Sequence, residues 1–199
     1  MDPIFSSVAT PVTTPTPVPS MKNAEKYPAL SSEFISGVKT ISKELGANPL
    51  HLMAAMSFET GGTFLPNVKN PVSSGTGLIQ FMKNTAIGLG SSIEKLREMT
   101  REDQLQYVFK HFLPAKGKIQ TLEDLYMQIL CPAAVGASKQ SEIFNTDSTG
   151  KCDHSSGAYR SNQGLDLNAD GSITKSEAVS KLWKHLERVT EKYGKYFTE

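Results

Sequence analysis

No dense block of lysine or arginine interrupts this chain, and its formal net charge is only +1. The electrostatic footprint of a nucleic-acid binder is missing, so nucleic acid is not an expected partner. No stretch approaches the roughly 20 apolar residues of a membrane span, so membrane insertion is not expected either. The amino terminus, Met1-Asp2-Pro3, is followed by no early basic residue and no sustained apolar segment, and does not read as a secretory signal. The two cysteines, Cys131 and Cys152, form neither a CxxC pair nor a Cys/His cluster, which speaks against a zinc site and against a disulfide framework. Cys131 follows an apolar run and reads as a small core residue. A bridge from Cys131 to Cys152 stays open.

What is present suits a folded protein. With 199 residues, 38% of them hydrophobic and 21% charged, the chain can bury one core and carry a short appendage, but not two full domains. Residues 1–27 hold Pro3, Pro11, Pro15, Pro17 and Pro19 among Ser, Thr and Val, a composition that favours extended backbone and builds no core. This segment reads as a flexible tail, either a processing remnant or a tether to a larger assembly, and residues 28–199 as the domain.

Within the domain the periodicity is helical. Phe34, Ile35, Val38, Ile41 and Leu45 recur at spacings of three and four, with Ser31 or Ser32 as a cap and Gly46 as a stop. Asn48 followed by Pro49 signals a second helix through Thr60, which Gly61 and Gly62 end. Residues 66–77 read as a loop, followed by a helix from about Ile79 to Gly88. Thr100 and Thr121 each begin a capping pattern, for one helix that ends before Pro114 and another from Leu122 to Cys131. Residues 138–165 read as a long loop and residues 174–196 as the last helix. No confident strand appears, so the expected fold class is mainly α.

Glu59 stands out. It falls in the last turn of its helix, where a negative charge meets the negative end of the macrodipole. Leu52, Ala55 and Met56 share its face, so the carboxyl projects from an apolar stripe. Both effects favour the protonated form and suit a general acid, which glycosidic cleavage requires because the sugar oxygen leaves poorly unless protonated. The plain alternative is a surface glutamate at a fraying helix end.

Glu59-Thr60-Gly61-Gly62-Thr63-Phe64, followed by Ser73-Ser74-Gly75-Thr76-Gly77-Leu78-Ile79-Gln80-Phe81, resembles the two leading motifs of lytic transglycosylases of the soluble type, particularly those encoded by phages. The resemblance covers about residues 31–137. It implies a lysozyme-like helical domain acting on bacterial peptidoglycan, with Glu59 as catalytic acid and base and no cofactor for catalysis. It further implies substrate contacts from Thr60, Ser73, Ser74, Gln80 and Phe81. Thr60 stands where the family usually has serine, and the family's later Ala-Tyr-Asn-x-Gly motif is absent. Tyr126 lies near its place and is the substitute groove tyrosine, with a core role as the alternative. A hydrolase would need a second carboxylate opposite the acid. None is near Gln80 in sequence, although Asp103, Glu123 or Asp124 can reach it through the fold. A single-acid reaction closing a 1,6-anhydro ring is what the resemblance implies; a hydrolytic muramidase or endolysin, and a non-catalytic virion or wall-binding protein, are the other readings. Without a signal, such a protein is expected in a phage virion or the host cytoplasm before release, acting on the periplasmic wall as a monomer. The tail is then a candidate contact with other virion proteins.

The segment Asp166-Leu167-Asn168-Ala169-Asp170-Gly171-Ser172-Ile173-Thr174-Lys175-Ser176-Glu177 matches each defining position of an EF-hand loop. Asp166, Asn168 and Asp170 offer side-chain oxygens, Ser172 a backbone carbonyl, Thr174 a hydroxyl or bridging water, and Glu177 a bidentate carboxylate. Gly171 permits the sharp turn. Ala178, Leu182, Trp183, Leu186 and Val189 give the following helix its apolar face. No clear helix precedes the loop, so a structural calcium is expected and not an opening sensor. The alternative is a capping box from Thr174 to Glu177.

Overall fold

The structure, a computed structural model, describes residues 25–153 and 157–198. The described residues are mainly helical, as the periodicity predicts, with one small antiparallel sheet. The helices are α1 (Ser32–Leu45), α2 (Pro49–Glu59), α3 (Lys83–Gly88), α4 (Ile93–Glu98), α5 (Arg101–Phe112), α6 (Leu122–Leu130), α7 (Ala158–Asn162) and α8 (Lys175–Tyr193), and the strands are β1 (Glu142–Asn145) and β2 (Ser172–Thr174).

Helix α1 begins where Ser31 Oγ accepts the Phe34 N–H at 3.0 Å and ends at Gly46, whose φ of +70° is left-handed. Asn48 Oδ1 accepts the Leu50 N–H at 2.9 Å, with Pro49 at the first position of α2. Leu52, Met53, Ala54, Ala55 and Met56 are all fully buried. A helix apolar all round is a central one, and α1, α6 and α8 pack about α2.

Four readings need correction. The segment from Ile79 is not yet helical: Thr76 and Phe81 exchange both backbone hydrogen bonds, Gln80 has a φ of +52°, and α3 starts only at Lys83. The buried side chain of Gln104 is the reason, because its Oε1 takes the Leu78 N–H at 2.7 Å. Residues 138–165 are not one loop, since they contain β1 and the short α7, which is the helix before the loop that periodicity did not reveal. Both elements are only four or five residues long, too short to register a period. Trp183 does not join the apolar face of α8 and is 45% exposed, whereas Ala178, Leu182 and Val189 are buried as expected. Helix α4, capped by Ser92, was not anticipated.

Cys131 is fully buried and bonded to Cys152, which answers the open question in favour of the bridge. The disulfide joins the end of α6 to the segment after β1. Beside it, Lys175 reaches Asp124 of α6 at 2.5 Å and also donates to the carbonyls of Ala134 and Ala137, so the first residue of α8 is anchored inside the protein.

Residues 1–24 of the expected tail lie outside the described residues. Tyr27, read as tail, belongs to the domain: its N–H donates to Gly62 O at 2.6 Å, and Arg188 lies over its ring. Tyr193 donates to Pro28 O at 2.7 Å, which further seats this arm.

Candidate active site

The site is built on the carboxy-terminal turn of α2. Gly61 and Gly62 have φ values of +62° and +86°, and the Gly62 N–H returns to Ser57 O at 2.7 Å, so the helix stops directly after Glu59 with its carbonyls satisfied. A Cβ on Gly62 would come within 3.0 Å of the Tyr27 ring, which leaves little room there for a larger residue.

Glu59 is half-buried, and its pKa is pushed up to about 7. Desolvation is the main cause, opposed by the Tyr126 hydroxyl, which favours the ionised form. Tyr126 projects from α6 and is only 5% exposed. Its own pKa lies well above the ordinary tyrosine value, first through burial and then through the charge and hydrogen bond of Glu59, so its hydroxyl keeps its proton and remains a donor. Phe58 meets Tyr126 edge to face, with ring centroids 5.6 Å apart and an interplanar angle of 88°. The structure thus brings together Glu59 and Tyr126, two residues 67 positions apart in sequence.

No carboxylate contributes to the shift at Glu59. The three acids that the sequence offered are engaged elsewhere. Asp103 is exposed and accepts from the Thr100 hydroxyl at 2.8 Å; Glu123 pairs with Lys139 at 2.8 Å; Asp124 pairs with Lys175.

Gln80 is half-buried, and its Nε2 donates to the carbonyls of Val68 and Gly77, both at 3.2 Å. Its Nε2 is thus committed to the loop, and its Oε1 lies against Gly75, where an added Cβ would come within 2.9 Å of it. No hydrogen bond joins it to Glu59 or Tyr126 among the described residues. Ser73 is exposed and Ser74 half-buried, and both act as turn formers: Ser73 Oγ accepts the Gly75 N–H, and Ser74 Oγ accepts the Lys83 N–H, each at 3.1 Å.

Two expected substrate contacts are corrected. Thr60 is buried, and its hydroxyl donates to Met56 O at 2.6 Å while accepting the Phe64 N–H at 3.0 Å, so it shapes the helix end instead of facing a ligand. Phe81 is 2% exposed and packs edge-on against His111 in the core.

Gln104, in the first turns of α5, holds the loop that carries Gln80. Fully buried, it bonds Leu78 through Oε1 and the carbonyls of Pro66 and Leu96 through Nε2. A Cβ on Gly77 would overlap this amide. A glutamine in a helix carries no local sign of such a role; only the glycine opposite it hints at close approach.

In the segment 166–177, Asp166 accepts the N–H groups of Ala169 and Gly171 at 2.8 and 3.0 Å, and Asp170 accepts that of Ser172 at 2.9 Å. Gly171 has a φ of +84°, and Ala169 a φ of +59°. Thr174 and Glu177 form a full capping box at the start of α8, and Glu177 Oε1 also accepts the Leu167 N–H at 3.3 Å. Ser172 to Thr174 pair with β1, and Ile173 is buried. Among the described residues no three Asp, Glu, His or Cys side chains converge as a metal cluster. The donor set is nonetheless all hard oxygen, side-chain and main-chain together, on a backbone folded round a left-handed glycine, which fits calcium chemistry and not that of a softer metal.

The chain matches no protein-family model and no curated protein.

Proposed function

We propose that this protein is a peptidoglycan lytic transglycosylase with a lysozyme-like domain, in which Glu59 serves first as acid and then as base. The observation that carries this reading is a half-buried carboxyl at a helix end, beside a tyrosine buried on a neighbouring helix, with its pKa pushed up to about 7. Such a group holds a proton close to neutral pH and can return to ionisation without reorganising its surroundings.

In the first step the Glu59 proton passes to the glycosidic oxygen as the bond from C1 of N-acetylmuramic acid breaks, releasing the N-acetylglucosamine side as an alcohol. The resulting Glu59 carboxylate accepts the proton of the muramic acid 6-hydroxyl while that oxygen bonds to C1. A 1,6-anhydro end forms, Glu59 regains its proton, and no water is consumed. The engagement of Asp103, Glu123 and Asp124 with partners of their own supports this single-acid route over a two-carboxylate hydrolysis. Tyr126 orients Glu59, and Gln80 is read as a groove residue that contacts the glycan.

The loop 166–177 is read as a structural calcium site held by Asp166, Asn168, Asp170, the Ser172 carbonyl, Thr174 and Glu177. The ion would draw the loop closed and fix the start of α8. No helix among the described residues is long and apolar enough to cross a membrane. The setting in which the protein acts, a phage virion opening the wall or a lytic protein released from the host, follows from the sequence resemblance.

Digestion of purified sacculi followed by mass spectrometry tests the reading. Anhydro-muropeptides from the wild type, and none from Glu59→Gln, are expected. Reducing ends would assign hydrolysis instead, and wild type without turnover would leave a wall-binding role.

A further inference from the structure

We propose that His185 of α8 is a positioning residue for Glu59, holding the final turn of α2 through Ser57 and Phe58. The inference rests on Glu59 being the catalytic acid.

The last residues of a helix fray, because their carbonyls have no partners further along the chain. Glu59 is the last residue of α2, so its placement depends on what clamps that turn. Ser57, two residues before it, has no exposed surface, and its Oγ lies 2.7 Å from His185 Nδ1. Ser57 donates to the Tyr27 hydroxyl at 3.2 Å, and that hydroxyl is itself 3.2 Å from His185 Nδ1. With the serine proton directed at Tyr27, the Nδ1–H of His185 is left to donate to Ser57 Oγ. Two hydrogen bonds then run in series, from His185 to Ser57 and from Ser57 to Tyr27.

The same imidazole makes a second contact with the turn. Phe58 stands edge-on to His185, with centroids 5.5 Å apart and an angle of 88°, and edge-on to Tyr126 on its other flank. Tyr126 in turn acts on the ionisation of Glu59. His185 therefore bears on the carboxyl by two routes, one through the backbone of the turn and one through the ring stack. Neither serine nor histidine touches Glu59, and Ser57 is too deeply buried to act as a nucleophile on any glycan. This makes the cluster a support for the acid and not a second active site.

The shapes of the substitutes allow a sharp test. Asparagine places its amide where Nδ1 stands, glutamine where Nε2 stands, and leucine supplies no hydrogen bond. His185→Asn is expected to keep kcat near wild type, while His185→Gln and His185→Leu lower kcat about tenfold with little change in KM, since a misplaced catalytic group costs up to about 10²-fold. Ser57→Ala should match His185→Leu, and the double variant should be no worse than either, because both remove one link. A carbon-13 titration of Glu59 gives a readout that needs no turnover: in His185→Leu its midpoint should move down from about 7 toward the ordinary glutamate range as the turn opens to water. An unmoved titration, a His185→Asn no better than His185→Leu, or additive losses in the double variant would each overturn the proposal. A sacculus assay in which wild type and Glu59→Gln are equally inactive would sink the enzymatic reading instead, and the titration would still judge the clamp. Should His185→Leu fail to fold, Ser57→Ala carries the same comparison.

Discussion

The hydroxyl of Tyr126 opposes what burial does to Glu59: desolvation favours the protonated acid, and the tyrosine favours the carboxylate. The midpoint near 7 is the balance of the two. Cleavage that needs a protonated Glu59 should fall on the alkaline side of that value. Tyr126→Phe removes the influence that lowers the pKa, so the alkaline limb of kcat/KM against pH should move to higher pH. A limb that stays in place or moves down in Tyr126→Phe would show that the two groups do not interact in this way.

Stability should follow the same carboxyl. Its folded pKa of about 7 lies above the ordinary 4.5, so the folded state binds the proton more tightly than the unfolded chain does. Stability is then full below the unfolded value, declines as pH rises between the two, and has lost the whole contribution above the folded one. For a carboxyl moved this far the loss is on the order of 3 kcal/mol, at about 1.4 kcal/mol per pH unit. Glu59→Gln should abolish this decline and be more stable than wild type at pH 8 in urea unfolding. Parallel stability curves for the two proteins between pH 4.5 and 8 would refute the assignment.

The buried pair of Lys175 and Asp124 makes a different prediction. Burial alone would raise the Asp124 pKa, but the Lys175 ammonium, the Gly136 N–H and the Thr121 hydroxyl together hold it below the usual range. Lys175→Met leaves that carboxylate enclosed without its cation and should cost about 3–5 kcal/mol. The double variant Asp124→Asn with Lys175→Met should recover part of the loss. If the single variant melts within a degree or two of wild type, the pair has no structural weight.

Calcium should raise the melting temperature, and chelator should lower it, with mass action setting the size: about 2.7 kcal/mol at a hundredfold excess over Kd. Asp166→Ala should abolish the response and also lower the metal-free melting point, since its carboxylate accepts the Ala169 and Gly171 N–H groups. A melting temperature indifferent to calcium at millimolar concentration would leave the segment as a capping box and nothing more.

Much of this was legible in sequence because the signals are local. Ser31 and Gly46, Asn48 and Pro49, and Thr121 announce helix ends through hydrogen bonds made within a few residues, and the helices begin or stop there. The same locality misled at Ile79, where a helical pattern yields to a tight turn because Gln104, distant in sequence, claims the Leu78 N–H. Glu59 was legible as a carboxyl on an apolar stripe, and Tyr126 as a groove tyrosine only through the family resemblance, with no sign that it would stand beside Glu59. Thr60 and Phe81 sit in the right motifs yet face inward, since a motif gives residue order and not side-chain direction. Lys175, Gln104 and His185 gave no sign at all, because each acts across the fold on a partner that periodicity does not name.

Strand β2 finds its hydrogen-bonding partner in β1, upstream in the same chain, and not in the loop of a twin hand. EF-hands that come in pairs share such a strand, and through it filling one alters the other. With one loop in view, any ion taken up between Asp166 and Glu177 should saturate along a simple hyperbola, without cooperativity and without a threshold.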